Sequence, residues 1–178
     1  MEQTQTSLFA QEQLPSDLHT VAEVSATASE ALELDILLKA VVDLTKKRVN
    51  LYHVQIFLMD EWQTMLQLKA GSGDVGQLMV LEGQQLPLDE HSTLGQVAKS
   101  QDVVIVGDVM QSDYFVSHPL LPNTKSQMAV PLVVGDSLLG VLDCHAKSTN
   151  RFDEQDVMIM KTLASQIAVS LQNASLYA

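Results

Sequence analysis

The sequence predicts an α+β domain built on an antiparallel sheet, and three observations carry that prediction. Apolar residues recur at helical spacing near both ends of the chain. Between them, strand-like runs pair off as hairpins around turn residues. The order is helix, hairpin, mixed segment, strand, hairpin, helix, without the regular strand–helix alternation of a parallel sheet. A length of 178 residues suits one domain with a terminal extension, and 46% apolar residues suffice for a core.

Taken in order, residues 1–15 are polar and Gln-rich, end at Pro15, and are expected to be a flexible tail. A helix is expected over 16–34, with Ser16 or Asp17 as cap and Leu18, Val21, Ala22, Ser25, Ala28 and Leu32 on one stripe. Asp35 is the expected N-cap of a second helix, whose apolar side is supplied by Leu37, Leu38, Val41, Val42, Leu44 and Thr45. The basic run Lys46–Arg48 fits its last turn, where cations meet the negative end of the helix dipole. Strands follow at 53–59 and 65–70 around the turn Asp60–Gln63, and Gly71-Ser72-Gly73 breaks the second. Residues 74–90 show no clear period. Ser92 and Thr93 open a short helix to about Lys99, and 103–106 is a short strand. Residues 107–125 form a long connection of the kind that often carries function. The runs 127–134 and 138–146 form a second hairpin about Gly135-Asp136. Both are apolar on either face, so helices are expected to cover the sheet on both sides. A long helix starts at Asp153.

Charge and composition exclude several functions. The formal net charge is −12 with only ten Lys and Arg, and this disfavours nucleic acid as a partner. A single cysteine, Cys144, can form neither an internal disulfide nor a thiolate zinc site. No apolar run reaches the roughly 20 residues needed to span a bilayer, and the acidic N-terminus does not read as a signal peptide. A cytoplasmic domain without direct membrane contact is therefore expected.

The second hairpin and last helix carry a family resemblance. Ala129–Leu132 (Ala-Val-Pro-Leu), Leu139–Leu142 (Leu-Gly-Val-Leu), Phe152–Asp156 and Leu163–Ala174 (Leu-Ala-x-Gln-Ile-Ala-x-x-Leu-x-Asn-Ala) closely resemble the C-terminal half of GAF domains. Looser matches at 54–60, 86–88 and 103–108 extend the resemblance over about residues 30–177. It implies a six-stranded antiparallel sheet, with the terminal helices on one face and short helices and loops on the other, and places the domain at 35–178. It also implies a sensor or dimerisation role, with a histidine kinase or cyclase as output in a longer parent protein.

The connection 107–126 suggests a pocket for a small ligand, since pockets are apolar with a few convergent polar groups. Asp108, Tyr114, Phe115 and His118 are its candidate walls, and Phe57, Met128 and Val130 its candidate floor. The opposing expectation is that these side chains fill the space themselves. The ligand itself stays unknown, and three cofactors are disfavoured. Cys144-His145 resembles a bilin-attachment pair only superficially, because it lies in a strand. No spaced histidine pair suggests haem, and no metal site is assigned. Phe152 and Asp156 keep part of a cyclic-nucleotide signature, but Arg151 replaces its Lys and Asn150 lies too close to Phe152. Asp143 and His145 fall on one strand face with no evident nucleophile. No catalytic residue is assigned, and the domain is read as non-enzymatic. A methionine sulfoxide reductase, the enzymatic alternative within the fold, uses several cysteines.

Apolar residues off the core stripes, Val24, Val169 and Leu176, are candidate contacts of a homodimer through the terminal helices. The leading expectation is thus a regulatory sensor that binds a small ligand or partner and signals through those helices. The alternative is a ligand-free dimerisation module.

Overall fold

The computed structural model describes residues 6–176, with side chains from residue 18 to residue 174. A single helix, α1 (Thr6–Val49), takes the place of the expected pair of helices and of residues 6–15 of the expected tail, whose first five residues lie outside the described ones. Residues 1–70 contain no glycine, so nothing breaks the helical run near Asp35, which lies inside the helix rather than at its start. Pro15 removes one helix hydrogen bond without ending the run. The helix ends at Asn50, whose φ of 56° turns the chain, and the Leu51 amide reaches back to the Lys46 carbonyl at 3.0 Å. Lys46, Lys47 and Arg48 occupy the last turn.

The sheet follows, with β1 (His53–Met59), β2 (Met65–Gly71), β3 (Gln85–Pro87), β4 (Val104–Val106), β5 (Ser126–Val134) and β6 (Ser137–Ala146). Their spatial order is β3-β2-β1-β6-β5-β4, and every pairing is antiparallel. Residues 74–90, which lack a period in the sequence, supply most of α2 (Gly73–Leu81) and all of β3. The helix α3 (Thr93–Ser100) is capped by Ser92, whose hydroxyl accepts the Gly95 amide at 2.9 Å. A 3₁₀ turn at Val109–Gln111 interrupts the long connection. The last helix, α4 (Glu154–Leu176), starts with reciprocal bonds between the Asp153 and Asp156 side chains and each other's amides, both 2.9 Å.

Strand alternation gives the sheet two unlike faces. One packs Val54, Ile56, Met128, Val130, Leu142 and Cys144 against Leu38 and Val42 of α1 and Met160, Ala164, Ile167 and Ala168 of α4. The other packs Phe57, Leu66, Leu68, Ala129 and Val141 against Met79 of α2 and Leu94 and Val97 of α3. In β2 the alternation is reset by a bulge. Ile56 pairs with Ala70 and Phe57 with Leu68, so Lys69 is the extra residue and Ala70 turns to the α1/α4 face.

Two devices tie α1 to the rest of the domain. Arg151 donates to the Val49 carbonyl and to Asp156, each at 3.0 Å, joining the end of α1 to the start of α4. Lys39 donates to the Gly71 and Gly73 carbonyls at 3.1 and 3.2 Å, and Asp43 accepts the Gly73 amide at 2.8 Å. Burial pushes the Asp43 carboxyl up, but the Gly73 amide and Lys39 outweigh it and hold the pKa below its usual value. This segment has no room for side chains, since a Cβ on Gly76 would lie 1.9 Å from the Gly71 backbone. Ahead of this clamp, every residue from 18 to 33 is exposed.

Candidate functional site

On the α2/α3 face the strands carry an uninterrupted polar cluster. His53 and Gln55 of β1 face His145 and Asp143 of β6 in register, and Gln127 of β5 lies opposite His145. All five are buried. Asp143 is the hub. Its Oδ2 accepts Gln55 Nε2 at 2.8 Å and lies 2.9 Å from His145 Nε2, while Oδ1 accepts Gln127 Nε2 at 2.8 Å. The chain continues from Gln55 Oε1 to His53 Nε2 at 3.1 Å, and from His53 Nδ1 to the Ser72 hydroxyl at 3.2 Å. On the other side, His145 Nδ1 lies 2.9 Å from the Thr124 hydroxyl.

Burial sets the protonation of this cluster. Burial pushes the Asp143 carboxyl up, but the His145 ring and the Gln55 and Gln127 amides more than offset it, so its pKa falls below the usual value. Burial, then the nearby His145, pushes His53 down to about 4, so its ring is neutral near pH 7.

A cavity of about 20 Å³ lies over the cluster. Its floor includes Gln55, Phe57, Gln127, Asp143 and His145, and its walls include Met79, Ser92, Thr93 and Leu94. Val116 and His118, both partly exposed, mark its outer end. Among the described residues, two buried side-chain acceptors have no partner, Gln84 Oε1 and Gln127 Oε1, and both residues line this cavity.

The pocket candidates divide. Phe57 and His118 line the cavity. Phe115 touches it indirectly, its ring edge-on to His145 with centroids 6.1 Å apart. Tyr114 is exposed and offers its backbone carbonyl to the Thr93 amide at 3.0 Å. Asp108 caps the 3₁₀ turn through the Met110 amide instead of facing the cavity. Met128 and Val130, expected in the floor, belong to the opposite face, because alternation along β5 sends Gln127 and Ala129 to the α2/α3 face and Met128 and Val130 toward α1 and α4. Gln55, Gln84 and Gln127 were missed. The signal for Gln55 and Gln127 was a glutamine inside an otherwise apolar strand, at a position sharing a face with Asp143 and His145.

Other candidates also find their places. Cys144 is fully buried on the α1/α4 face, so it and His145 point to opposite sides of the sheet. Burial pushes its thiol far above the ordinary range. Val24 and Val169 are exposed on their helices, and the side chain of Leu176 lies outside the described residues. Among the described residues, no group of three or more His, Cys, Asp or Glu could hold a metal ion, and no helix is long and apolar enough to cross a membrane.

A family model for the GAF domain matches residues 33–171, which contain the whole sheet and all four helices in part or in full. The chain belongs to the GAF domain family. Solved structures of this fold resemble it closely. The GAF domain of a phosphoenolpyruvate-protein phosphotransferase from Coxiella burnetii is 20% identical, with a TM-score of 0.73 over 81% of this chain and 85% of that one. A free methionine-R-sulfoxide reductase from Neisseria meningitidis, in complex with its substrate, is 21% identical, with a TM-score of 0.70 over 82% and 81%. A methyl-accepting chemotaxis protein segment is 22% identical, with a TM-score of 0.68 over 81% and 92%. At these identities the likeness is one of fold. No curated protein matches the chain. GAF domains are typical of signalling sensors, and this GAF domain shares its fold with both sensors and a reductase.

Proposed function

We propose that this GAF domain is a regulatory sensor that holds a small ligand over the Asp143 cluster and passes its state to α1 within a homodimer. The observation that carries the reading is the hydrogen-bonded chain from the cavity to α1. It runs from Asp143 through Gln55, His53 and Ser72 to Gly71–Gly73, which Lys39 and Asp43 of α1 clamp. A ligand that pulls on Asp143 or Gln55 therefore acts on the segment that fixes α1, and shifts in helix packing are an established switching mode.

The homodimer rests on exposed apolar surface. Leu18, Val21 and Leu32 are exposed on α1 at spacings that fit a heptad seam, with Ser25 and Ala28 between them. A helix this long with no intramolecular cover from 18 to 33 gains stability by pairing. An apolar groove of about 170 Å³ between Leu34, Leu37 and Val41 of α1 and Leu163, Ile167 and Leu171 of α4 extends that surface. Val21→Glu with Leu32→Glu should give a monomer in sedimentation velocity; a dimer that persists in the double variant removes this interface from the account.

A ligand-free dimerisation module is the second reading, favoured by the small size of the cavity. Native mass spectrometry of the protein purified from the cells that make it separates the two, since a bound low-mass adduct supports the sensor and a bare dimer the module. Against a thiol-dependent reductase stands the burial of Cys144 on the sheet face opposite the cavity.

A further inference from the structure

We infer that the group this cavity takes is a small protonated amine, either ammonium or the head of a primary alkylammonium. The inference rests on the sensor reading and names the chemistry of its ligand. The cavity presents a surplus of acceptors. Gln127, a residue of the cavity lining, is only 3% exposed; its amide nitrogen is committed to Asp143, and its buried carbonyl oxygen has no partner. Gln84 adds a second buried carbonyl oxygen without a partner. Asp143 adds a carboxylate whose contacts are three nitrogen groups, from Gln55, Gln127 and His145, and a carboxylate has room for about one more donor. An ammonium head has at least three N–H donors and no acceptor, and so matches two carbonyls and a carboxylate. Bonds from a charged donor to a carboxylate are also roughly twice as strong as neutral ones.

Charge and size point the same way. No Lys or Arg lines the cavity, so the ionised Asp143 repels an anion there. The formal net charge of −12 draws cations toward the domain as a whole. A volume of about 20 Å³ accommodates a group the size of one water molecule, and an ammonium head is of that size. An alkyl tail would leave past Val116, which is half exposed at the outer end. Water is the rival occupant, but it offers two donors and no charge.

The test uses the whole chain, labelled with ¹⁵N, and follows backbone amide shifts during separate titrations with ammonium chloride and methylammonium chloride. Potassium chloride and tetramethylammonium chloride serve as controls, the second being a cation without an N–H donor. Saturable shifts at Gln127–Ala129 and Asp143–His145 are expected with ammonium or methylammonium chloride and with neither control. Asp143→Asn should weaken binding about tenfold or more. Equal shifts with potassium, or none with ammonium or methylammonium at high millimolar concentration, overturn the amine assignment, and the wild-type titration decides this even if the variant does not fold. Native mass spectrometry then separates the two levels. A neutral or anionic adduct retained by the wild type ends the amine assignment and leaves the sensor, whereas a bare dimer with no amine response ends both.

Discussion

The two faces of the sheet are made by the same strands and differ in almost everything else. Toward α1 and α4, β1, β5 and β6 present Val54, Ile56, Met128, Val130, Leu142 and Cys144, an apolar cluster closed by two helices. Toward α2 and α3, the same strands present His53, Gln55, Gln127, Asp143 and His145 beside the apolar Phe57, Ala129 and Val141. Burying a polar group is unfavourable unless it is bonded, and two carbonyl oxygens on the second face are not. The first face makes the fold, and the second spends some of that stability on a polar site.

The largest expected effect separates the faces by stability. Met128→Ala should lower unfolding free energy by about 2–5 kcal/mol in urea titration, through lost burial and a residual cavity. Joint replacement of the polar cluster (Gln55→Leu, Gln127→Leu, Asp143→Leu and His145→Leu) should change it by less than the Met128 substitution does, because Asp143 and its three partners leave together, while His53 and Thr124, each one bond short, keep the Ser72 hydroxyl and the Leu121 carbonyl. A large loss in the joint variant would make the cluster part of the scaffold and erase the contrast.

The next effect is in pH. The unfolded His53 titrates near 6.5 and the folded one near 4, so as pH falls through that interval the unfolded chain takes up a proton that the folded chain does not. His53 thus contributes stability above pH 6.5 that is lost progressively toward pH 4. His53→Gln should flatten that part of the stability profile, and a profile unchanged by the substitution would remove His53 from the account. Asp143, with its lowered pKa, contributes stability that is lost at still lower pH, below 3.8. The smallest effect is local. Ser92→Ala removes the cap of α3 and should lower stability by about 1 kcal/mol, with little change at the α1/α4 face.

The same contrast explains what was legible in the sequence. The strands, both hairpins and the start of α4 follow from alternation and turn residues such as Gly135-Asp136, which act over a few residues. Residues 74–90 were unreadable because α2 and β3 are short and owe their form to packing, including the close approach of Gly71 and Gly76. The length of α1 was missed because Pro15 and Asp35 look like boundaries locally, yet no glycine lies there to end a helix. At the site, Phe57 and His118 line the cavity, whereas Asp108 and Tyr114 of the same long connection are used in turn and backbone contacts instead. Met128 and Val130 were placed on the wrong face because an apolar strand such as β5 looks alike from either side. Only the polar exception, Gln127, reveals which side faces the cavity.

The central claim is that the polar face is a ligand site and not only a way of packing β1, β5 and β6. Its most direct test is native mass spectrometry of the wild type and the four-leucine variant, purified side by side from the cells that make the protein. The account expects a dimer in both, with a low-mass adduct on the wild type that is lost on denaturation and missing from the variant. Equal adducts on both, or bare dimers in both, would contradict it.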